Sequence, residues 1–142
     1  MSWEDGITFG LSEEVIAVRE IARKFAHEEV LPIARKIDQE HRFPEEIIKK
    51  LGVLGFMGSC IPSEYGGSEL SQVAYCLVIE ELAAACASTS IIVSAHHSLC
   101  SIPILDYGTE AQKNLYLKPL ATGEMLGCFA LSEPGSGSDA AS

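Results

Sequence analysis

From Leu82 to Leu105 the chain carries no charged residue, and that stretch limits what the whole molecule can fold into. As a single helix it would be long enough to cross a bilayer. It also holds five serines, Thr89, the neighbours His96 and His97, and Pro103. A lipid-facing helix would leave many of these polar groups without partners. The stretch therefore reads as consecutive helices buried in a protein core and broken at Ser88-Thr89-Ser90, with no membrane insertion. Such a core needs other helices to cover it.

The flanking sequence supplies them. Ser12 is a candidate N-cap, and Glu13 and Glu14 follow where the helix dipole favours negative charge. Val15, Val18, Ala22, Phe25, Ile33 and Ile37 recur at helical spacing. Pro32 falls inside this pattern and is expected to kink one helix rather than divide two. A second helix is expected to open at Pro44, with Lys49 and Lys50 at its end and Gly52 as its left-handed cap. Gly55 to Gly67 reads as loop, with a turn at Tyr65-Gly66-Gly67. Ser71 caps a helix to about Ala87, and another runs from Ile91 to about Tyr107, closed by Gly108. Thr109 and Gln112 form a capping box that opens a last helix to about Ala121.

After Thr122-Gly123 the pattern changes. Met125 to Leu131 is a short uninterrupted apolar run, the mark of a buried strand, and the turn-rich Ser132-Glu-Pro-Gly-Ser-Gly-Ser-Asp139 follows. One strand leaves both its edges unpaired, so the chain reads as cut just after a second domain begins. The expected class is mainly α: a helical bundle over residues 1–122, then residues 123–142 as the first strand of a truncated β-domain. The length of 142 residues suits one domain plus a fragment of another.

Twenty acidic against ten basic residues give a formal charge of -10, which argues against a nucleic-acid partner and against anionic lipid. Five cysteines without a C-x-x-C spacing read as free thiols, with Cys76, Cys86 and Cys100 acting as small hydrophobes in helices. Met1 to Gly6 is acidic and resembles neither a secretion signal nor a transit peptide, which suits a bacterial cytoplasmic protein, with a processed mitochondrial matrix protein as the alternative. Glu80 and Glu81 are helical neighbours that point apart, so they read as ion-pairing or solvated side chains. His96 and His97 read as satisfied polar residues at a helix boundary. No catalytic residue and no metal ligand is assigned.

The junction Phe129 to Ser142 carries the strongest chemical signal. Gly135 and Gly137 allow backbone N–H groups to approach an anion such as pyrophosphate, and Ser132, Ser136 and Ser138 add hydroxyl donors. The run Cys128-Phe-Ala-Leu-Ser-Glu-Pro-Gly-Ser-Gly-Ser-Asp139 resembles the signature of the acyl-CoA dehydrogenase family. Ile61-Pro-Ser-Glu-Tyr-Gly-Gly67, the Glu80-Glu-Leu-Ala stretch and Tyr107 to Leu117 resemble further family segments in family order. Phe129 to Ser132 and Ser98 to Pro103 are most similar to short-chain-specific members.

That resemblance implies a helical N-terminal domain, a middle β-domain and a C-terminal helical domain, of which this chain matches the first and the opening of the second. It implies FAD as cofactor, lined by Phe129–Ser138. Ser132 matches the position that hydrogen-bonds the flavin ring near N5, while Ala130 and Leu131 match positions offering backbone groups to the ring edge. Ser138 matches the position that touches phosphate-bearing parts of FAD and the CoA substrate. The implied reaction is α,β-dehydrogenation of an acyl-CoA, with the α-proton going to a glutamate outside this chain and the β-hydrogen leaving as hydride to the flavin. Electron-transferring flavoprotein and a homotetramer are the implied partners. An acyl-CoA oxidase or flavin monooxygenase of the same fold, or a non-catalytic helical interaction module, are the alternatives.

Overall fold

A computed structural model describes residues 10–141 of the chain; the readings placed on Met1–Gly6 and on Ser142 lie outside the described residues. The helices are α1 (Glu13–Phe25), α2 (Leu31–Gln39), α3 (Glu45–Val53), α4 (Gln72–Ala85), α5 (Ala87–Ser94), α6 (Ile102–Tyr107) and α7 (Glu110–Ala121). α1 lies on α4, α4 on α5, and α7 on α6. The mainly helical architecture is the one expected.

Three helices begin where a side chain can meet an orphan N–H. Ser12 Oγ accepts from the Val15 N–H at 3.3 Å and Ser71 Oγ from the Ala74 N–H at 3.2 Å. Thr109 Oγ1 accepts from the Gln112 N–H at 3.3 Å, while the Gln112 side chain accepts from the Thr109 N–H at 2.8 Å, completing the capping box. Pro32 does not divide the first long element. α1 passes into α2 through a π-helical turn, Ala26–Val30, and Pro32 sits in the first turn beyond it. The same device recurs at Ala95–Ser101, with Pro103 just after it. Widening the turn ahead of a proline relieves the clash of its ring with the carbonyl behind it.

Two expectations about helix ends are corrected. Gly52 is inside α3, and the left-handed residue is Gly55, at φ 78°. The Gly55 N–H donates to the Gly52 carbonyl at 3.0 Å and the Phe56 N–H to the Leu51 carbonyl at 2.9 Å, the Schellman pattern. Gly52 lacks a side chain for a different reason: a Cβ there would lie 2.3 Å from the Thr122 carbonyl oxygen, so α3 and the end of α7 meet backbone to backbone. Gly52→Ala is therefore expected to lose about 2 kcal/mol by forcing the two apart, a loss that a shift of the urea midpoint would report.

The second correction concerns the break between the fourth and fifth helices. It falls at Cys86, in extended conformation (φ -158°, ψ 106°), and Ser88-Thr89-Ser90 are already helical. The Ser90 hydroxyl donates to the Ile79 carbonyl at 3.1 Å and Thr89 is fully buried. These residues fasten the start of α5 to α4 instead of interrupting the chain. Cys86 is therefore at the break, yet it packs half-buried against the main core as the small hydrophobe expected, whereas Cys76 is exposed on α4. Along α5 and the turn after it, Ile91 and Leu99 are exposed, so this charge-free stretch buries one side only. No helix among the described residues is long and apolar enough to cross a membrane.

Ala22, Phe25, Ala26 and Val30 meet Ile47, Ile48 and Leu51 of α3, Phe56 and Met57 beyond it, Val78 and Leu82 of α4 and Val93 of α5 in one core. Ile61, Leu117 and Ala121 form a smaller one beneath α7. A buried charge cluster ties α1 to α4. Glu81 accepts from Arg19 Nε at 2.7 Å and from Arg23 Nε at 3.2 Å and Nη2 at 3.0 Å. This agrees with the ion-pairing reading of Glu81; Glu80 is exposed at its rim, 3.8 Å from Arg19.

Candidate functional site

The end of α7 aims the segment that follows it. Gly123 is left-handed (φ 75°), its N–H donates to the Leu120 carbonyl at 3.0 Å, and the Met125 N–H donates to the Pro119 carbonyl at 2.8 Å. A Cβ on Gly123 would approach the Gly52 Cα to 3.1 Å, so the turn is seated on α3. Two residues past Met125, the buried Gly127 donates its N–H to His96 Nδ1 at 2.9 Å. From Cys128 to Ala141, Ser136 is half-buried and the others are exposed.

The expected strand is not formed. Residues 125–131 have no ladder partner among the described residues, and the only β pairing there is the isolated bridge between Glu133 and Ser136. Met125, Leu126, Phe129 and Leu131 are exposed rather than buried. An apolar run becomes a strand only when another strand takes up its N–H and C=O groups, and no other described segment does so.

All the residues singled out for cofactor contact lie on this one projecting segment. Phe129, Ala130, Leu131 and Ser132 come first, and their backbone groups make no hydrogen bond to a described residue. A tight turn follows, in which the Glu133 and Ser136 backbones exchange bonds of 2.8 and 3.1 Å. Gly135 is at its tip, and a Cβ built on Gly135 or Gly137 would meet nothing within 4 Å. Packing within the chain thus gives no reason for glycine at either place. The Ser136 hydroxyl donates to the Asp139 carbonyl at 2.7 Å, whereas the Ser132 and Ser138 hydroxyls make no bond to a described residue. What the segment offers is an apolar surface with unspent backbone groups and hydroxyls along it. That donor set matches the edge of a planar heteroaromatic ring and an attached diphosphate.

Behind the segment sit the two histidines. His96 Nε2 is 3.1 Å from the Leu120 carbonyl oxygen, and with Nδ1 accepting from Gly127 both ring nitrogens are used. Burial pushes its pKa below the usual value. His97 is equally buried, but neither ring nitrogen has a hydrogen-bond partner among the described residues, so it departs from the satisfied reading. Its ring packs on that of Tyr75, centroid to centroid 4.4 Å. Burial, with the neighbouring His96, lowers the His97 pKa to about 4. Both sit inside a π-helical turn rather than at a helix boundary. Sequence reasoning passed over the His96–Gly127 contact, and a glycine inside an apolar run was the signal that could have marked it. A separate cleft of about 370 Å³, lined by Ile37, Arg42, Thr89 and Ile92 among others, contains none of the residues expected to contact the cofactor.

The class defined so far is a helical domain that sends out, at one end, an exposed glycine- and serine-rich segment. Comparison with known proteins is specific. Residues 12–124 match the profile described as acyl-CoA dehydrogenase, N-terminal domain. The short-chain specific acyl-CoA dehydrogenase of Bos taurus mitochondria is 47% identical over 123 residues, covering 87% of this chain and 30% of that protein. Butyryl-CoA dehydrogenase of Megasphaera elsdenii superposes with a TM-score of 0.85 at 36% identity, covering 94% of this chain and 36% of that one. An acyl-CoA dehydrogenase of Bacillus anthracis complexed with FAD gives 0.86 at 38% identity, covering 99% and 25%. The chain belongs to the acyl-CoA dehydrogenase family. It spans about a third of the length of the curated relatives it matches.

Proposed function

We propose that this chain is the N-terminal part of an FAD-dependent acyl-CoA dehydrogenase of the short-chain type. The observation that carries the reading is the projecting Phe129–Ser138 segment, in which the Phe129–Ser132 backbone groups and the Ser132 and Ser138 hydroxyls make no bond to a described residue. Residues 1–122 are its helical domain and residues 123–142 the start of a β-domain whose later strands pair with Met125–Leu131. Phe129 would line the bound flavin. The backbones of Ala130 and Leu131 and the Ser132 hydroxyl hold the ring edge, and Gly135, Gly137 and Ser138 admit and bind the phosphates, with Ser138 also reaching the CoA. When bound, FAD supplies a two-electron acceptor for hydrogen removed across Cα–Cβ of the acyl group. Within this chain the work would be binding and orientation, through the N–H and O–H donors of this segment. No carboxylate here is assigned to the α-proton.

Similarity to short-chain and butyryl-CoA enzymes supports a short acyl thioester as substrate. Electron-transferring flavoprotein as acceptor, a homotetramer, and a bacterial cytoplasmic or mitochondrial matrix location belong to the same proposal. The test is to purify the intact protein that contains this chain and add butyryl-CoA anaerobically. A yellow protein whose absorbance near 450 nm bleaches on addition is the expected result. A colourless protein that takes up no FAD overturns the reading.

A further inference from the structure

Resting on the reading of Phe129–Ser138 as the flavin-lining segment, we propose that His96 is its positioning residue, clamping Gly127 to the end of α7 so that the segment leaves the bundle from one fixed point. His96 reaches two places distant in sequence: Nε2 to the Leu120 carbonyl at 3.1 Å, and Nδ1 to the Gly127 N–H at 2.9 Å. Only the tautomer with its proton on Nε2 can serve both, because Leu120 offers an acceptor and Gly127 a donor. The ring is fully buried, so neither bond competes with water.

Gly127 fits a seat built around this ring. A Cβ added to it would fall 2.5 Å from Cys100 Sγ, 2.7 Å from Cys100 Cβ and 3.3 Å from Leu120 Cδ2. His96 and Cys100 lie in the same wide turn, Ala95–Ser101, so one stretch of helix supplies both the hydrogen-bond acceptor and the wall. Any side chain at position 127 would lift the segment off its seat. Phe129 follows two residues later, at most about 7 Å along the chain, so an error at Gly127 reaches the cofactor face undiminished. Met125 is held separately, by the Pro119 carbonyl, and provides an internal reference.

Two substitutions divide the clamp. His96→Asn can still accept from Gly127, in place of Nδ1, but does not reach Leu120; His96→Gln can still donate to Leu120, in place of Nε2, but offers Gly127 no acceptor. Amide exchange of the full chain by NMR is expected to show Gly127 exchanging roughly tenfold faster in His96→Gln, the loss of about one buried hydrogen bond. Met125 should stay unchanged, and His96→Asn should keep Gly127 at its wild-type rate. In the flavin-loaded protein, His96→Gln alone is expected to alter the visible circular dichroism of the flavin and weaken its retention.

Equal Gly127 exchange in the two variants overturns the clamp and leaves the flavin reading standing. Faster Gly127 exchange with an unaltered flavin spectrum overturns the assignment of the segment to the cofactor, and the positioning role with it. Independently of folding in either variant, a long-range ¹H–¹⁵N spectrum of the wild-type chain must show His96 protonated on Nε2; protonation on Nδ1 overturns the clamp.

Discussion

Replacing Glu81 with alanine is expected to cost about 3–5 kcal/mol of stability, a large share of the roughly 5–15 kcal/mol that a domain commonly has in total. Glu81 is the shared acceptor for two guanidinium groups from α1, with Arg19 itself buried. Burial pushes the Glu81 carboxyl up, but hydrogen bonds from Arg23 and Arg19 and their charges more than offset it, and its pKa ends below the usual range. Removing the carboxylate takes away the main compensation for a buried positive charge, and the desolvation cost of Arg19 then falls on the folded state. If charge compensation is the cause, Arg19→Met with Glu81→Leu should be less damaging than Glu81→Ala alone, because Arg23 can turn to water and to Glu20, 3.4 Å away at the surface. Urea unfolding of the three proteins decides it. A double variant as unstable as Glu81→Ala would mean that lost packing, not an uncompensated charge, is responsible.

The features of this fold that were legible in the sequence are those decided within a few residues. Ser12, Ser71 and the Thr109–Gln112 box act on N–H groups three positions away, so the residue type at that spacing is nearly the whole cause. Features that failed are decided across the chain. Gly52 has the composition and position of a cap, yet its role is set by Thr122, seventy residues on, and the cap falls to Gly55. Ser88-Thr89-Ser90 reads as a break because its hydroxyls can compete with a helix locally, but α4 offers the Ile79 carbonyl to Ser90 and the helix survives. Met125–Leu131 has a strand's composition without a strand's partner among the described residues.

The candidate site divides in the same way. Its projecting serines and glycines were found through a family resemblance carried by contiguous residues. The clamp behind them joins His96 to Gly127 across thirty-one positions, and the glycine inside an apolar run marks only one end of it without naming its partner. The histidine pair looked uniform on paper, and only the packing of α7 and the segment after it gives the His96 ring two hydrogen bonds, whereas the His97 nitrogens have none among the described residues.

That asymmetry predicts a pH dependence. In the unfolded chain His97 titrates near its ordinary value of 6.5, whereas in the fold burial and the adjacent His96 hold it at about 4. Between these values the unfolded state binds one more proton than the folded state, so stability must fall as the pH is lowered from about 6.5 towards 4. The limiting slope is about 1.4 kcal/mol per pH unit, and the full interval amounts to about 3 kcal/mol. His96, shifted in the same direction by burial, adds to the loss. Glu81 enters only at the acid end of this window: its folded pKa lies below the usual carboxylate value, so its stabilisation is intact well above the ordinary value of 4.5 and is lost as the pH falls from there through the folded value. The two causes are therefore separable along the pH axis. His97→Leu removes the titrating ring and its two unpartnered nitrogens while keeping an apolar body against Tyr75. Chemical denaturation at half-unit steps should show the wild-type slope reduced by one proton in this variant, with its stability relative to wild type rising as the pH falls. An unchanged slope would assign the acid sensitivity to another group and leave the buried His97 ring without a part in it.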